Sequence, residues 1–98
     1  MESKSKPVVL TALAESDLEN ITDYLVSNWD ISVCDKFITR FELLCNTISM
    51  TPDIFPLIDR NRNIRKCFLT KHKTIFYREV IDKIEIITIF DNRKNLKS

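Results

Sequence analysis

The sequence predicts an α+β domain: an N-terminal strand, an antiparallel two-helix hairpin, then a three-stranded antiparallel meander forming one sheet with the helices packed on one face. Three observations predict it. Apolar runs at residues 64–69, 74–81 and 84–90, rich in Ile, Phe, Val and Tyr, are separated by gaps of hairpin length. Upstream, two longer stretches carry apolar residues at alternating spacings of three and four, the helical period. The chain has 98 residues, which suits one modest core and a single domain over residues 1–98.

Residues 1–6 are polar and are expected to be disordered. Pro7 opens a short apolar run to Leu10, as at the first residue of an edge strand. Thr11 offers a helix N-cap, with Glu15 and Asp17 where the positive end of the helix dipole favours carboxylates. Leu18, Ile21, Leu25 and Trp29 then form one apolar stripe. The second helix has a fuller stripe, Ile31, Cys34, Ile38, Phe41, Cys45 and Ile48, widened by Phe37 and Leu44. Thr51-Pro52 ends it, because the residue before proline is pushed out of the α region. Residues 52–63 are expected to be a loop that packs Ile54, Phe55, Leu57 and Ile58 over an edge of the core, with Arg60 and Arg62 beside the start of the meander.

In the meander, residues 70–73 and 82–83 are the expected turns. The chain has no glycine, so a two-residue primed turn at Asp82-Lys83 would force side-chain-bearing residues to positive φ, and a loop one or two residues wider is the alternative. Symmetric turns set Leu69 opposite Thr74 and Ile81 opposite Ile84. Alternation then sends Ile64, Lys66, Phe68, Ile75, Tyr77, Glu79, Ile81, Ile84, Ile86, Thr88 and Phe90 to the core face. The opposite face receives Arg65, Cys67, Leu69, Thr74, Phe76, Arg78, Val80, Glu85, Ile87, Ile89 and Asp91, with Arg65 directly across from Arg78. Like charges so opposed are unfavourable unless a carboxylate or a bound anion meets them. A face both basic and apolar, with no helix left to cover it, would be an exposed patch and reads as a partner surface. Residues 94–98 form a polar tail.

The composition, 44% apolar and 30% charged, is that of an ordinary globular domain. No apolar run approaches the roughly 20 residues that span a bilayer, and the N-terminus lacks the apolar segment of a signal peptide. These features point to the cytoplasm and to no membrane partner. Cys34, Cys45 and Cys67 sit in apolar periodic contexts and read as buried free thiols. A single histidine and scattered cysteines lack metal-ligand spacing, so no metal or other cofactor is expected. The net charge of +1 hides an asymmetry: residues 1–59 carry four basic against ten acidic side chains, residues 60–98 eleven against four. The basic half suggests a polyanionic partner, nucleic acid or an acidic protein segment.

The order of elements, together with LTALAESDLENITDYL, TPDIFP and NIRKCFLTKHKTIFYREVIDKIEIITIFDNRKN, resembles the RelE/ParE toxin family of type II toxin-antitoxin systems over residues 8–96. Arg65, the Phe76-Tyr77-Arg78 unit and Asp91-Asn92-Arg93 are the matching local features. The resemblance implies a small growth-inhibiting toxin of the plasmid-stabilisation type. It also implies a hetero-oligomer with a cognate antitoxin, whose extended or helical C-terminal segment wraps the toxin. RelE-like members cleave mRNA in the ribosomal A site, whereas ParE-like members inhibit DNA gyrase and cut nothing themselves.

RNA cleavage needs a proton acceptor, cations for the phosphate and an acid for the leaving oxygen. Arg65 and Arg78 are the candidate cationic clamp, and Lys71 and His72, between the first two meander strands, are the candidate proton-transfer groups. The chain departs from the ribonuclease pattern at its end, where Asp91, Asn92 and Arg93 stand in place of a His or Tyr. Arg60, Arg62, Lys66, Phe76, Ile87, Ile89, Asp91 and Arg93 are the candidate contact residues for antitoxin or nucleic acid. Three readings stay open here: a toxin acting on translation or gyrase, a metal-independent endoribonuclease, and a non-toxic protein-binding module.

Overall fold

A computed structural model describes residues 5–94. Strand β1 (Val8–Leu10) leads into helix α1 (Ala12–Asn28), helix α2 (Ile31–Met50) and four further strands, β2 (Leu57–Asp59), β3 (Ile64–Thr70), β4 (Lys73–Glu79) and β5 (Ile84–Asp91). One turn of 3-10 helix, Asn92–Lys94, follows. The sheet has five strands in the order β1-β5-β4-β3-β2. It is mixed, with β1 parallel to β5 and every other pair antiparallel. The expected three-stranded meander is thus the centre of a larger sheet. Strand β2 lies inside the stretch expected to be loop, because three residues after Pro56 are too few to show a period.

The helices start and stop for local reasons. The Thr11 hydroxyl caps α1 by accepting from the Ala14 N–H at 3.1 Å. Trp29 and Asp30 alone separate α1 from α2, which forces the hairpin. The α2 helix ends at Met50, before Thr51-Pro52. Facing the sheet, Ala14, Phe37, Phe41 and Ile48 meet Cys67, Leu69, Ile75, Tyr77, Ile84, Ile86 and Ile89 in one core, with Leu18, Ile21 and Leu25 half-buried against it. Trp29 and Ile31, expected on the apolar stripes, are 62% and 59% exposed instead, at the junction between the two helices.

Two bulges change the expected register. Between β3 and β4 the pairs run Arg65 to Tyr77, Lys66 to Phe76 and Phe68 to Thr74, then shift so that Thr70 meets Lys73 across a two-residue turn, Lys71 and His72. Leu69 is the extra residue. The whole of β3 is therefore reversed relative to expectation: Cys67 and Leu69 are buried under the helices, and Phe68 is 57% exposed on the uncovered face. Between β4 and β5, Tyr77 meets Ile86 but Phe76 meets Thr88, leaving Ile87 as a bulge. That shift puts Ile89, rather than Thr88 or Phe90, into the core.

The β4–β5 loop spans residues 80–83 and is closed by the Val80 N–H donating to the Lys83 carbonyl at 2.9 Å. None of its residues has a positive φ, so the glycine-free chain makes no primed turn there. The one positive φ among the described residues belongs to Asn63, at 58°, a residue type that tolerates the left-handed region. Lys6, expected in a disordered terminus, is held: its amine donates to the Val80 carbonyl at 2.7 Å and pairs with Glu79 at 2.8 Å. Residues 1–4 and 95–98, the rest of the expected disordered start and polar tail, lie outside the described residues.

Candidate functional site

Arg65 and Arg78 are not brought together. Arg65 pairs with Tyr77 and so shares the helix side of the sheet, where its guanidinium donates to the carbonyls of Phe55 at 2.8 Å and Asp53 at 3.4 Å. The Tyr77 hydroxyl adds a bond to the Pro52 carbonyl at 2.8 Å, and the Phe55 ring stands edge-on to Tyr77. Burial pushes the Tyr77 phenol up to about 12. These side chains pin the 52–56 segment to the sheet. Arg78 lies on the uncovered face, directly across from Glu85, to which its Nε donates at 3.0 Å.

Lys71 is exposed at the tip of the β3–β4 turn, and His72 is half-buried beside it. The His72 carbonyl accepts from the Asn92 N–H at 2.8 Å, which folds the end of β5 back onto this turn. Asp91 is the hub there. Its carboxylate accepts from the Arg93 Nε and Nη2, each at 3.1 Å, from the Arg93 N–H at 2.9 Å and from the Lys73 amine at 3.3 Å. The Arg93 guanidinium, more than any other group, holds the Asp91 carboxyl well below the usual carboxylate range. Asp91 in turn holds the Arg93 guanidinium more firmly protonated than usual.

Between this hub and the helix hairpin opens a cleft of about 910 Å³. Its apolar lining comes from Ile21, Tyr24, Leu25, Trp29, Val33 and Phe37, and its charged lining from Asp17, Lys36, Arg40, Lys73, Asp91 and Arg93, with His72 at the turn. Tyr24 and Trp29 are 55% and 62% exposed. Asp91 engages Lys73 and Arg93, but among the described residues neither Lys36 nor Arg40 has an ion-pair partner. Arg40 donates its Nε to the Leu69 carbonyl. An apolar groove with exposed aromatics, lined by four cations against the two carboxylates Asp17 and Asp91, suits an acidic, apolar segment.

The uncovered face of the sheet is a second surface. Phe68 flanks the buried Thr74 on one side and Phe90 on the other, the Phe76 and Phe90 rings meet edge-on at 6.3 Å, and the Lys66 amine lies 5.3 Å from the Phe68 ring centroid. Of the expected contact residues, Lys66 and Phe76 belong to this face. Ile89 is buried in the core, and Ile87 is the half-buried bulge residue. Arg60 and Arg62 are exposed in the turn before β3, where the Asp59 carboxylate accepts from the Arg62 N–H at 3.0 Å.

Sequence reasoning names none of Lys36, Arg40, Tyr24 and Trp29 as a site residue: Trp29 reads as part of the apolar stripe, and Lys36 and Arg40 as part of the solvated face of the second helix. Lys36 and Arg40 stand four residues apart on α2, a spacing that puts them on one helical face, but alone it reads as ordinary solvated charge. The thiols remain free. Burial pushes Cys45 up to about 11 and raises Cys67 as well, so both stay protonated and unreactive near neutral pH. Among the described residues, no group of three or more His, Cys, Asp or Glu side chains could hold a metal ion, and no helix is long and apolar enough to cross a membrane.

Comparison with known proteins agrees with this architecture. Residues 8–96 match the family described as the ParE toxin of the type II toxin-antitoxin system parDE. Among solved structures, the chromosomal ParDE toxin-antitoxin system from P. aeruginosa superposes with a TM-score of 0.74 at 16% identity, covering 91% of this chain and 98% of that one. No curated protein matches. A family match running from the first residue of β1 to past the end of β5 means that the chain belongs to the ParE toxin family of type II toxin-antitoxin systems.

Proposed function

We propose that this chain arrests growth by inhibiting DNA gyrase, and that a cognate antitoxin neutralises it by laying an acidic, apolar segment into the cleft between the helix hairpin and the end of β5. Membership of the ParE branch carries the reading. The apolar lining and the unpaired Lys36 and Arg40 support the chemistry of the antitoxin segment. Against the ribonuclease alternative stands the separation of the expected clamp: Arg65 is spent on the Phe55 and Asp53 carbonyls, on the other side of the sheet from Arg78.

Induced expression of the chain alone in bacteria, with pulse-labelling of DNA and protein, tests the target. The expected result is an early fall in DNA synthesis with filamentation, and inhibition of purified gyrase in a supercoiling assay. An early fall in protein synthesis with cleavage of translated mRNA, abolished by Arg78→Ala, would overturn it in favour of the ribonuclease. A soluble, well-expressed chain that leaves growth untouched would point to the binding module.

A further inference from the structure

The side of the sheet away from the helices presents aromatic rings to solvent. Phe68 and Phe90 are 57% and 38% exposed there, on either side of Thr74. They stand two strand spacings apart, about 10 Å, and the Phe76 ring meets Phe90 edge-on. The surface thus has two platforms, Phe68 and the Phe76–Phe90 pair. Thr74 between them is 2% exposed, so no socket opens there for the anchoring side chain of a protein partner. A flat ring suffices for a nucleic-acid base.

The charge around these rings is one-sided. Lys66 lies across from Phe76, with its amine 5.3 Å from the Phe68 ring centroid. Beside Phe68 the surface dips into an open hollow whose other lining residues are Arg40, Thr70 and Lys71. Arg40 is held there by its Nε bond to the Leu69 carbonyl. Among the described residues none of Arg40, Lys66 and Lys71 has an ion-pair partner, whereas the face's own carboxylate, Glu85, is engaged by Arg78. The hydroxyls under the rings are also spent: Thr74 donates to the Asn92 side-chain carbonyl at 2.8 Å, and Thr88 to the Asp17 carboxylate. A strand on the platforms therefore meets π-faces and cations, and no group there that reads a ribose 2′-hydroxyl.

We infer that the uncovered face binds single-stranded DNA. One base stacks on Phe68, with its phosphate in the hollow between Arg40 and Lys71. A neighbouring base stacks on the Phe76–Phe90 pair, and Lys66 meets the phosphate between the two platforms. Unstacked bases and a polyanionic backbone use the rings and the cations together, whereas a duplex keeps its bases stacked on one another and offers phosphate alone. The inference goes beyond the proposed target. Binding is measured on the chain by itself, so its failure and a failure of gyrase inhibition are read separately.

The test is fluorescence anisotropy of a labelled oligothymidylate of about 12 nucleotides, titrated with the full-length chain. A Kd of about 1–100 µM is expected at low salt, with log K falling against log salt at a slope of about −2, as about three phosphate contacts give. Phe68→Leu keeps an exposed apolar side chain but removes the π-face, and should weaken binding about tenfold, whereas Phe68→Trp should preserve it. Lys66→Ala should remove about 0.7 of the salt slope. Leu43→Ser, at an exposed apolar residue of α2, should change nothing. A duplex of the same length should bind about tenfold more weakly than the single strand. A folded wild type that shows no saturable binding up to about 100 µM overturns the inference. So does a Phe68→Leu chain that binds like the wild type, or a duplex bound as tightly as the single strand. An oligouridylate bound about tenfold more tightly than the DNA would overturn it in favour of RNA. Binding lost in Lys36→Glu but kept in Phe68→Leu would place the strand in the cleft instead.

Discussion

The Arg65 guanidinium donates to the Phe55 carbonyl at 2.8 Å, on the side of the sheet opposite Arg78. A charged donor on a partly buried carbonyl contributes about 1.5–3 kcal/mol, whereas an exposed ion pair such as Arg78 with Glu85 contributes about 0–1 kcal/mol. Arg65→Ala should therefore lower the urea midpoint clearly and speed amide exchange at Ile54, whose N–H bonds the Thr51 carbonyl in the pinned segment. Arg78→Ala should leave stability nearly unchanged. Equal losses in the two variants would mean that Arg65 does not hold the segment.

Tyr77 is fully buried, and its hydroxyl bonds the Pro52 carbonyl. Tyr77→Phe removes that donor and should cost about 1–3 kcal/mol at neutral pH. The same tyrosine gives an alkaline limb. Burial raises the folded phenol to about 12, while the unfolded one ionises near its ordinary value of about 10. The unfolded state therefore loses its proton first, and stability present below pH 10 declines as the pH rises towards 12. Urea denaturation at pH 8 and pH 11 should show that decline in the wild type and a weaker one in Tyr77→Phe.

How far the sequence foretold this architecture can be read from individual residues. Thr11, the stripe through Phe37, Phe41 and Ile48, and Thr51-Pro52 predicted the helix hairpin correctly, because caps and 3.6-residue periodicity are local signals. The positions of β1, β3, β4 and β5 were also legible locally, whereas β2 lies in a stretch that reads as loop, and register is not a local signal. Leu69 and Ile87 are bulge residues with nothing unusual in their side chains, and each shifts the pairing by one, which reversed β3 and exchanged Ile89 for Thr88. The parallel pairing of β1 beside β5 joins residues far apart in the chain and leaves no trace in either segment. The cleft was illegible for the same reason, since Trp29, Lys36 and Arg93 become neighbours only after the sheet and hairpin meet.

Asp91 predicts an acid limb. The Arg93 guanidinium, followed by the Arg93 N–H and the Lys73 amine, keeps its carboxyl ionised in the folded protein well below the ordinary range. The unfolded chain takes up the proton near pH 4. Stability present above that pH is thus lost as the pH falls below it, down through the depressed folded value. Asp91→Asn should flatten this limb between pH 4 and pH 2 relative to the wild type in thermal melts. High salt should weaken the limb only in part, because the Asp91 side chain is 16% exposed.

On the proposed function, antitoxin capture is expected to be separable from toxicity at Lys36 and Trp29. Both line the cleft, neither belongs to the core, and neither makes a hydrogen bond that folding needs beyond the Trp29 backbone bond to Leu25. Trp29→Ala removes an exposed aromatic of the kind that dominates interfaces and should weaken antitoxin binding by about 2 kcal/mol, roughly 30-fold. Lys36→Glu reverses a charge that steers an acidic segment, so it should slow association about tenfold at low salt and much less at high salt. Trp29 is the chain's sole tryptophan, so its fluorescence reports occupancy of the cleft directly in the wild type and in Lys36→Glu. Both variants should still arrest growth when expressed alone, and co-expressed antitoxin should rescue them less well than the wild type. Wild-type affinity in both variants would exclude the cleft and move the antitoxin to the uncovered face around Lys66, Phe68 and Phe90, where Phe68→Ser would then be the substitution that abolishes rescue.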